Sequence, residues 1–296
     1  MDVYTITVLA NIALFSFLAI SAWLLLLVGE ISFGQQAYFA IGAYTGGVST
    51  AVLQLPFGIA LLMAIAAGGL FAGLVAIPAM RLSGLHFSIA SLAFAELVRS
   101  VLNVFQYQRW VDGYLTGPDG VNGFRDIRWI YDAGIDPGTY FLMILGCLSV
   151  VMLGVVMASY GRGMTIVRSV GENRRLAAAQ GMNATRVRII TASVAGAIAA
   201  LGGTLYAHMA TYIEPAQFGL MIGVHSLAYG LIGGMGTVFG PLLGVLIDIG
   251  ALETLRIFSG YRMIFFGGLV ALVLIMRPRG ILDEATVAKV QRWLRG

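Results

Sequence analysis

Residues 169–189 read SVGENRRLAAAQGMNATRVRI, a knot of basic side chains beside a short alanine-rich run, set between two long apolar segments. Asn173 is placed to cap a helix over Arg174–Gln180, with Gly181 at its C-terminal exit. Ala177, Ala178 and Ala179 favour the helix. Two turns are too short to persist alone in water, and Arg174 and Arg175 lie at the N-terminal end, where the helix dipole disfavours positive charge. Something outside the segment must hold it. A partner protein with a groove and acidic residues answers both problems; anionic lipid headgroups answer only the charge.

Other candidate chemistry is sparse. A P-loop needs GxxxxGK[ST], whose lysine reaches the phosphates. The one lysine is Lys289, in VAKVQRW, with no glycines before it, so this chain is not a P-loop ATPase. It carries no GxSxG, HExxH or dinucleotide fingerprint and reads as a non-enzyme. Cys147 stands alone in an apolar run, and His86, His208 and His225 are scattered without metal-ligand spacing, so no metal site is expected. Glu96, in LAFAELVRSVL, lies deepest among the ionisable residues, with Arg99 three residues on and on the same helix face. Charge at that depth is costly and faces protein or water. It reads as a Glu96–Arg99 pair bridging helices, or as a proton or substrate site. Asp248 and Glu253, with Arg256, either line an outer vestibule or pair among themselves, and His225 reads as a buried hydrogen-bonding residue.

The elements that must position these groups are membrane helices. Of 296 residues 59% are hydrophobic and only 11% charged, whereas a soluble domain is nearer one quarter charged. Apolar runs recur at roughly 4–28, 36–54, 57–80, 85–106, 138–159, 189–210, 221–236, 240–258 and 261–276. The expectation is an all-α, polytopic integral membrane protein: one transmembrane domain over 1–296, with about nine spans. The range is eight to ten, because short glycine-rich segments allow a re-entrant piece. The N-terminal run follows Asp2 with no preceding Lys or Arg and is too long for a cleavable signal. Orientation follows the arginines. Loop 160–188 carries Arg162, Arg168, Arg174, Arg175, Arg186 and Arg188, and the tail 277–296 carries Arg277, Arg279, Lys289, Arg292 and Arg295; both are expected in the cytoplasm. Loop 107–137 is richer in aspartate and is expected outside, as is the N-terminus. The net charge of +4 then reflects cytoplasmic loops, not a nucleic-acid partner.

Glycines punctuate this pattern. Gly29 and Gly34 interrupt the chain after the first segment, and Gly233, Gly234 and Gly236 after the seventh. A helix broken at membrane depth is tolerated where protein or a water-filled cavity satisfies its backbone, so these breaks are candidate pathway lining; tight packing through small residues is the other reading. GEISFGQQA (29–37) and GGMGTVFGPLL (233–243) share a Phe-Gly pair, and GLVAIPAMRLSGL (73–85) resembles GLVALVLIMRPRGIL (268–282). Segments one to three and seven to nine therefore read either as a duplicated unit, running the same way across the membrane, or as chance likeness between glycine-rich sequences.

GENRRLAAAQGMNATRVRIITASVAGAIAALGGTLYAH (171–208) resembles the cytoplasmic loop and following helix of ABC-importer permeases for branched-chain amino acids. GLIGGMGTVFGPLLGVLI (230–247), GEISFGQQAYFAIGAYTGG (29–47), LHFSIASLAFAELVRSV (85–101), LTGPDGVNGF (115–124) and MRPRGIL (276–282) are similar to further stretches of that family, in order, and the Gly-Pro-Asp-Gly loop favours its LivM-type branch. The resemblance implies a permease subunit of the bacterial inner membrane, paired with a LivH-like chain, two cytoplasmic ABC ATPases and an external solute-binding protein, with lipid around it. ATP and magnesium would bind the ATPases and no cofactor this chain. Glu172, Asn173, Arg174, Arg175, Ala177, Ala178 and Gly181 would form the ATPase-coupling helix. The family usually has acidic residues where this chain has Arg174 and Ala178, so docking would use a different charge pattern. Thr116, Gly117, Pro118, Asp119 and Gly120 would receive the binding protein, though the run also reads as a plain turn. Gly29, Gly34, Gly233, Gly234, Gly236 and Glu96 are the candidate pathway residues. The solute class implied is branched-chain or related amino acids, with urea, amides and aromatic acids in the wider group. The alternative is a stand-alone channel or ion-coupled carrier working through Glu96.

Overall fold

The structure, a computed structural model, describes residues 3–79, 81–82, 84–111, 113–251, 262–277 and 280–282. Glu253, Arg256 and the tail helix expected over 283–296 lie outside the described residues.

The expected apolar segments are helices: α1 (Val3–Leu27), α2 (Gln35–Gly47) running into a π-turn over Val48–Val52, α3 (Phe57–Ala79) and α4 (Leu85–Val104). After a small sheet of β1 (Arg109–Val111), β2 (Tyr114–Pro118) and β3 (Phe124–Arg125), and a short α5 (Trp129–Asp132), comes α6 (Pro137–Tyr160). The basic loop holds α7 (Arg162–Glu172) and α8 (Arg174–Ala179). Then come α9 (Ala184–Ala210), α10 (Leu220–Gly233), α11 (Phe239–Val245) running into a second π-turn over Leu246–Ala251, and α12 (Arg262–Met276).

Five of these, α1, α3, α4, α6 and α9, are long and apolar enough to cross a membrane. Among the described residues each expected segment holds a helix, only five of them of spanning length, and residues 252–258 of the eighth segment lie outside the described residues. At 1.5 Å per residue a 14-residue helix such as α10 reaches about 21 Å, short of a hydrocarbon core of about 30 Å. Leu62, Leu70, Leu85, Ile89, Leu142 and Val150 stand exposed on α3, α4 and α6, the outward apolar surface expected where lipid is the solvent.

The centre is α9, packed on α1, α2 and α3. Its approach is close because one face is built of small residues. A side chain at Gly203 would overlap the Phe39 carbonyl, one at Gly42 the Ala200 backbone, and one at Gly68 the Ala200 methyl. The Thr204 hydroxyl donates to the Gly42 carbonyl at 2.8 Å, Ser21 to that of Ala195 at 2.7 Å and Tyr140 to that of Leu205 at 2.8 Å. Small-residue spacing with interhelical hydroxyl bonds supplies packing where lipid removes the hydrophobic driving force.

The suspected duplication has a structural counterpart. A helix, a glycine turn, an α-helix running into a π-turn, and a further apolar helix occur over 3–79 and again among the described residues of 220–276.

Candidate functional site

The basic loop is built from the residues upward much as its sequence implies. The Asn173 side-chain oxygen accepts from the Leu176 N–H at 3.0 Å, capping α8, and Gly181 leaves the helix at φ +84°. The helix ends one residue earlier than expected, at Ala179. Asn183 repeats the cap at the start of α9, accepting from the Arg186 N–H at 3.0 Å. An Asn173→Ala change removes one cap, worth about 1 kcal/mol. The expected result is faster amide exchange over residues 174–179, with α9 unchanged.

What holds α8 is internal. Arg174 forms an ion pair with Glu30, and Arg188, in the first turns of α9, pairs with the same Oε1 atom. Glu30 sits in the turn between α1 and α2 and is 1% exposed. Burial pushes its carboxyl above the ordinary range; Arg188 and then Arg174 oppose the shift without cancelling it. Arg188 also reaches the Leu82 carbonyl in the α3–α4 turn at 3.4 Å, and Arg168 reaches those of Met235 and Gly236 in the α10–α11 turn at 3.4 and 3.0 Å. Three arginines of one loop thus hold three turns at one end of the bundle. Arg162, Arg175 and Arg186 stay exposed, and with Leu176, Ala178 and Ala179 Arg175 forms an exposed basic and apolar knob on α8; Glu172 is exposed beside it and Ala177 is buried beneath.

The candidate pathway glycines are places of close backbone approach. Gly29 has φ +80° and meets the Gly171 backbone, Gly34 meets the Ser91 carbonyl, Gly233 meets the Gly240 backbone, and Gly234, at φ +98°, meets that of Leu282. A side chain would clash at Gly29, Gly233 and Gly234 and would crowd the Ser91 carbonyl at Gly34. Gly236 instead contributes its carbonyl to Arg168. The carboxylate of Glu96 takes Arg99 Nη2 at 2.7 Å and Nε at 2.8 Å, both side chains more than a third exposed on α4. The pair therefore joins two turns of one helix, and among the described residues it bridges to no other helix. Asp248 is buried and accepts from the Tyr229 hydroxyl at 2.6 Å. His225 bonds the Met221 carbonyl at 2.7 Å and stacks on Phe266. Among the described residues no group of three His, Cys, Asp or Glu is placed to hold a metal ion.

At the other end of α6, the run 116–120 is scaffold. Thr116, Gly117, Pro118 and Gly120 are buried. Gly117 lies at φ +140° against the Tyr107 carbonyl, and Asp119 accepts from Asn122 Nδ2 at 2.9 Å. Phe124 pairs with Ile213, and Trp129 stacks on Phe57 at 4.2 Å, fixing the loop to the bundle. The side chains this scaffold presents are Trp110, Tyr114, Val121 and Tyr131, all exposed. Tyr131 also lines a cavity of about 830 Å³ with Arg125, Asp126, Arg128, Asp132, Thr211 and Tyr212. Partial burial and then the bond to Glu214 raise the Tyr212 hydroxyl above its ordinary value, against Arg125. Asp126 and Thr211 adopt φ +63° and +60°, uncommon for non-glycine residues.

Sequence reasoning missed Glu30 and these aromatics. Glu30 is a lone acid in GEISFG, and only the fold shows that two arginines well over a hundred positions away converge on it.

The family model for the branched-chain amino acid transport system permease component matches residues 4–276. The chain is 28% identical to the high-affinity branched-chain amino acid transport permease LivM of Salmonella typhimurium over 276 residues, covering 86% of this chain and 64% of that protein. Against LivM of Escherichia coli K12 it is 28% identical over 286 residues, with the same coverages. Against LivH of Salmonella typhimurium it is 24% identical over 281 residues, covering 89% of each. This chain therefore spans about two-thirds of the LivM relatives' length, at 64%. No solved structure matches it.

Proposed function

We propose that this chain, which belongs to the family of branched-chain amino acid transport permease components, acts as one of two permease subunits of an ATP-driven importer for branched-chain or related amino acids. The observation that carries the reading is the short capped helix α8, which shows Arg175 and Leu176 outward while Arg174 is tied inward to Glu30. Such a knob suits an ATPase cleft with acidic and apolar lining. ATP and magnesium belong to two cytoplasmic ATPase partners, and closure of that pair would move α8 and rock the bundle between outward- and inward-facing states. The membrane is the bacterial inner membrane, with the N-terminus outside and the tail in the cytoplasm, and the whole chain acts as one transmembrane unit.

A LivH-like second permease completes the pathway. The exposed Glu96–Arg99 pair supports this, because a charge pair partway along an apolar span is costly against lipid and is accommodated by a partner chain or a water-filled path. The same pairing weighs against an ion-coupled carrier, which needs a carboxylate not already held by its neighbour. Outside, Trp110, Tyr114, Val121 and Tyr131 form the surface for a solute-binding protein, with residues 116–120 as its support.

The test is a pull-down from solubilised membranes of the native host. The chain should bring down a second permease and P-loop ATPases. Arg175→Glu/Leu176→Asp should lose the ATPases, by roughly tenfold or more for a change of 1–2 kcal/mol per residue, and keep the permease. Arg174 is avoided because its pairing is internal. A wild-type chain that comes down without any ATPase sinks the reading.

A further inference from the structure

We propose that Glu30 is a positioning residue for transport: it locks α8, the α1–α2 turn and the start of α9 into one rigid body, so that movement of α8 reaches the bundle. This rests on the importer reading above and adds a named residue through which its coupling passes.

Glu30 Oε1 meets both Arg174, the first residue of α8, and Arg188, in α9. The backbone carries the same junction, since Gly171 packs directly on the Leu27 carbonyl and the Gly29 amide, and Arg174 also reaches the Gly29 carbonyl at 3.4 Å. A buried carboxylate between two guanidiniums holds because separation would leave charge uncompensated in a low-dielectric interior. A push on α8 therefore travels through this junction and does not open it. Two discrete elements are joined here by ion pairs and backbone contact, the kind of contiguous link that can carry coupling between sites. Arg168 of α7, bonded to the Gly236 carbonyl in the α10–α11 turn, connects the second half of the repeated pattern to the same loop.

The experiment uses the complete importer in proteoliposomes and measures solute taken up, ATP hydrolysed and ATPase subunits retained. Glu30→Gln keeps the side-chain volume and removes the charge. The expected result is normal ATPase retention and hydrolysis, with solute moved per ATP lower by about 2- to 30-fold, the span of coupling changes of 0.5–2 kcal/mol. A purely stabilising role would lower the amount of intact complex and leave that ratio alone. A wild-type ratio in Glu30→Gln overturns the inference, as does loss of the ATPases. Should Glu30→Gln not assemble, Arg174→Met decides, because it leaves the Glu30–Arg188 pair in place: a wild-type ratio there overturns the inference. Failure of the importer reading is separately visible, as a wild-type complex without ATP-driven uptake.

Discussion

Gly203→Leu is expected to lower the yield and stability of folded protein sharply. Even a Cβ at this position would overlap the carbonyl of Phe39, and both lie on rigid helices at the α2–α9 crossing. Overpacking within a well-packed core costs about 1–3 kcal/mol, and here the clash is with backbone, which no rotamer change relieves. The helices must part, and the Thr204–Gly42 bond goes with them. The ratio of folded to unfolded protein should fall by roughly tenfold or more. Fluorescence-detected size exclusion of the chain in detergent measures it. Gly146→Leu on α6 is the control, since a Cβ there meets nothing within 4 Å among the described residues, and it should leave the peak intact. A monodisperse Gly203→Leu peak at wild-type height would show that the close crossing is not required.

The second large effect is expected at Arg188. Arg188→Leu leaves the buried Glu30 carboxylate with Arg174 alone, and breaking a buried pair from one side costs about 3–5 kcal/mol. The double change Arg188→Leu/Glu30→Leu removes the charge as well and should recover most of that loss, because an apolar replacement of a buried pair is often neutral or better. Thermal unfolding of the four proteins in detergent forms a double-mutant cycle. Single changes that are mild and additive would mean that Glu30 and Arg188 do not depend on each other. A rescued double variant that is stable yet couples poorly would separate the cluster's role in stability from its role in transport.

Much of the fold was legible because a bilayer leaves few options: long apolar runs must become helices that satisfy their own backbone, so the positions of the apolar helices among the described residues could be read directly. The α8 cap was equally local, since Asn173 needs only its own next three residues, and Gly181 needs only its φ. The span count was less accessible. Whether a short helix such as α10 crosses depends on neighbours, and these lie far away in sequence.

The candidate site divided along the same line. The arginines of 160–188 announced a charge that needed a partner, but their types are identical. Nothing local distinguishes Arg174, Arg188 and Arg168, which grip three turns of the same chain, from Arg175, which faces outward. Likewise TGPDG offered a turn, whereas the structure places Thr116–Pro118 in strand β2, paired with β1 and β3. What the sequence by itself determined was the solvent, the helices, their caps and the loop that must be held. What only the tertiary structure decided was who holds it: a single buried carboxylate at position 30, because ion pairing acts through space and in low dielectric outweighs any preference written along the chain.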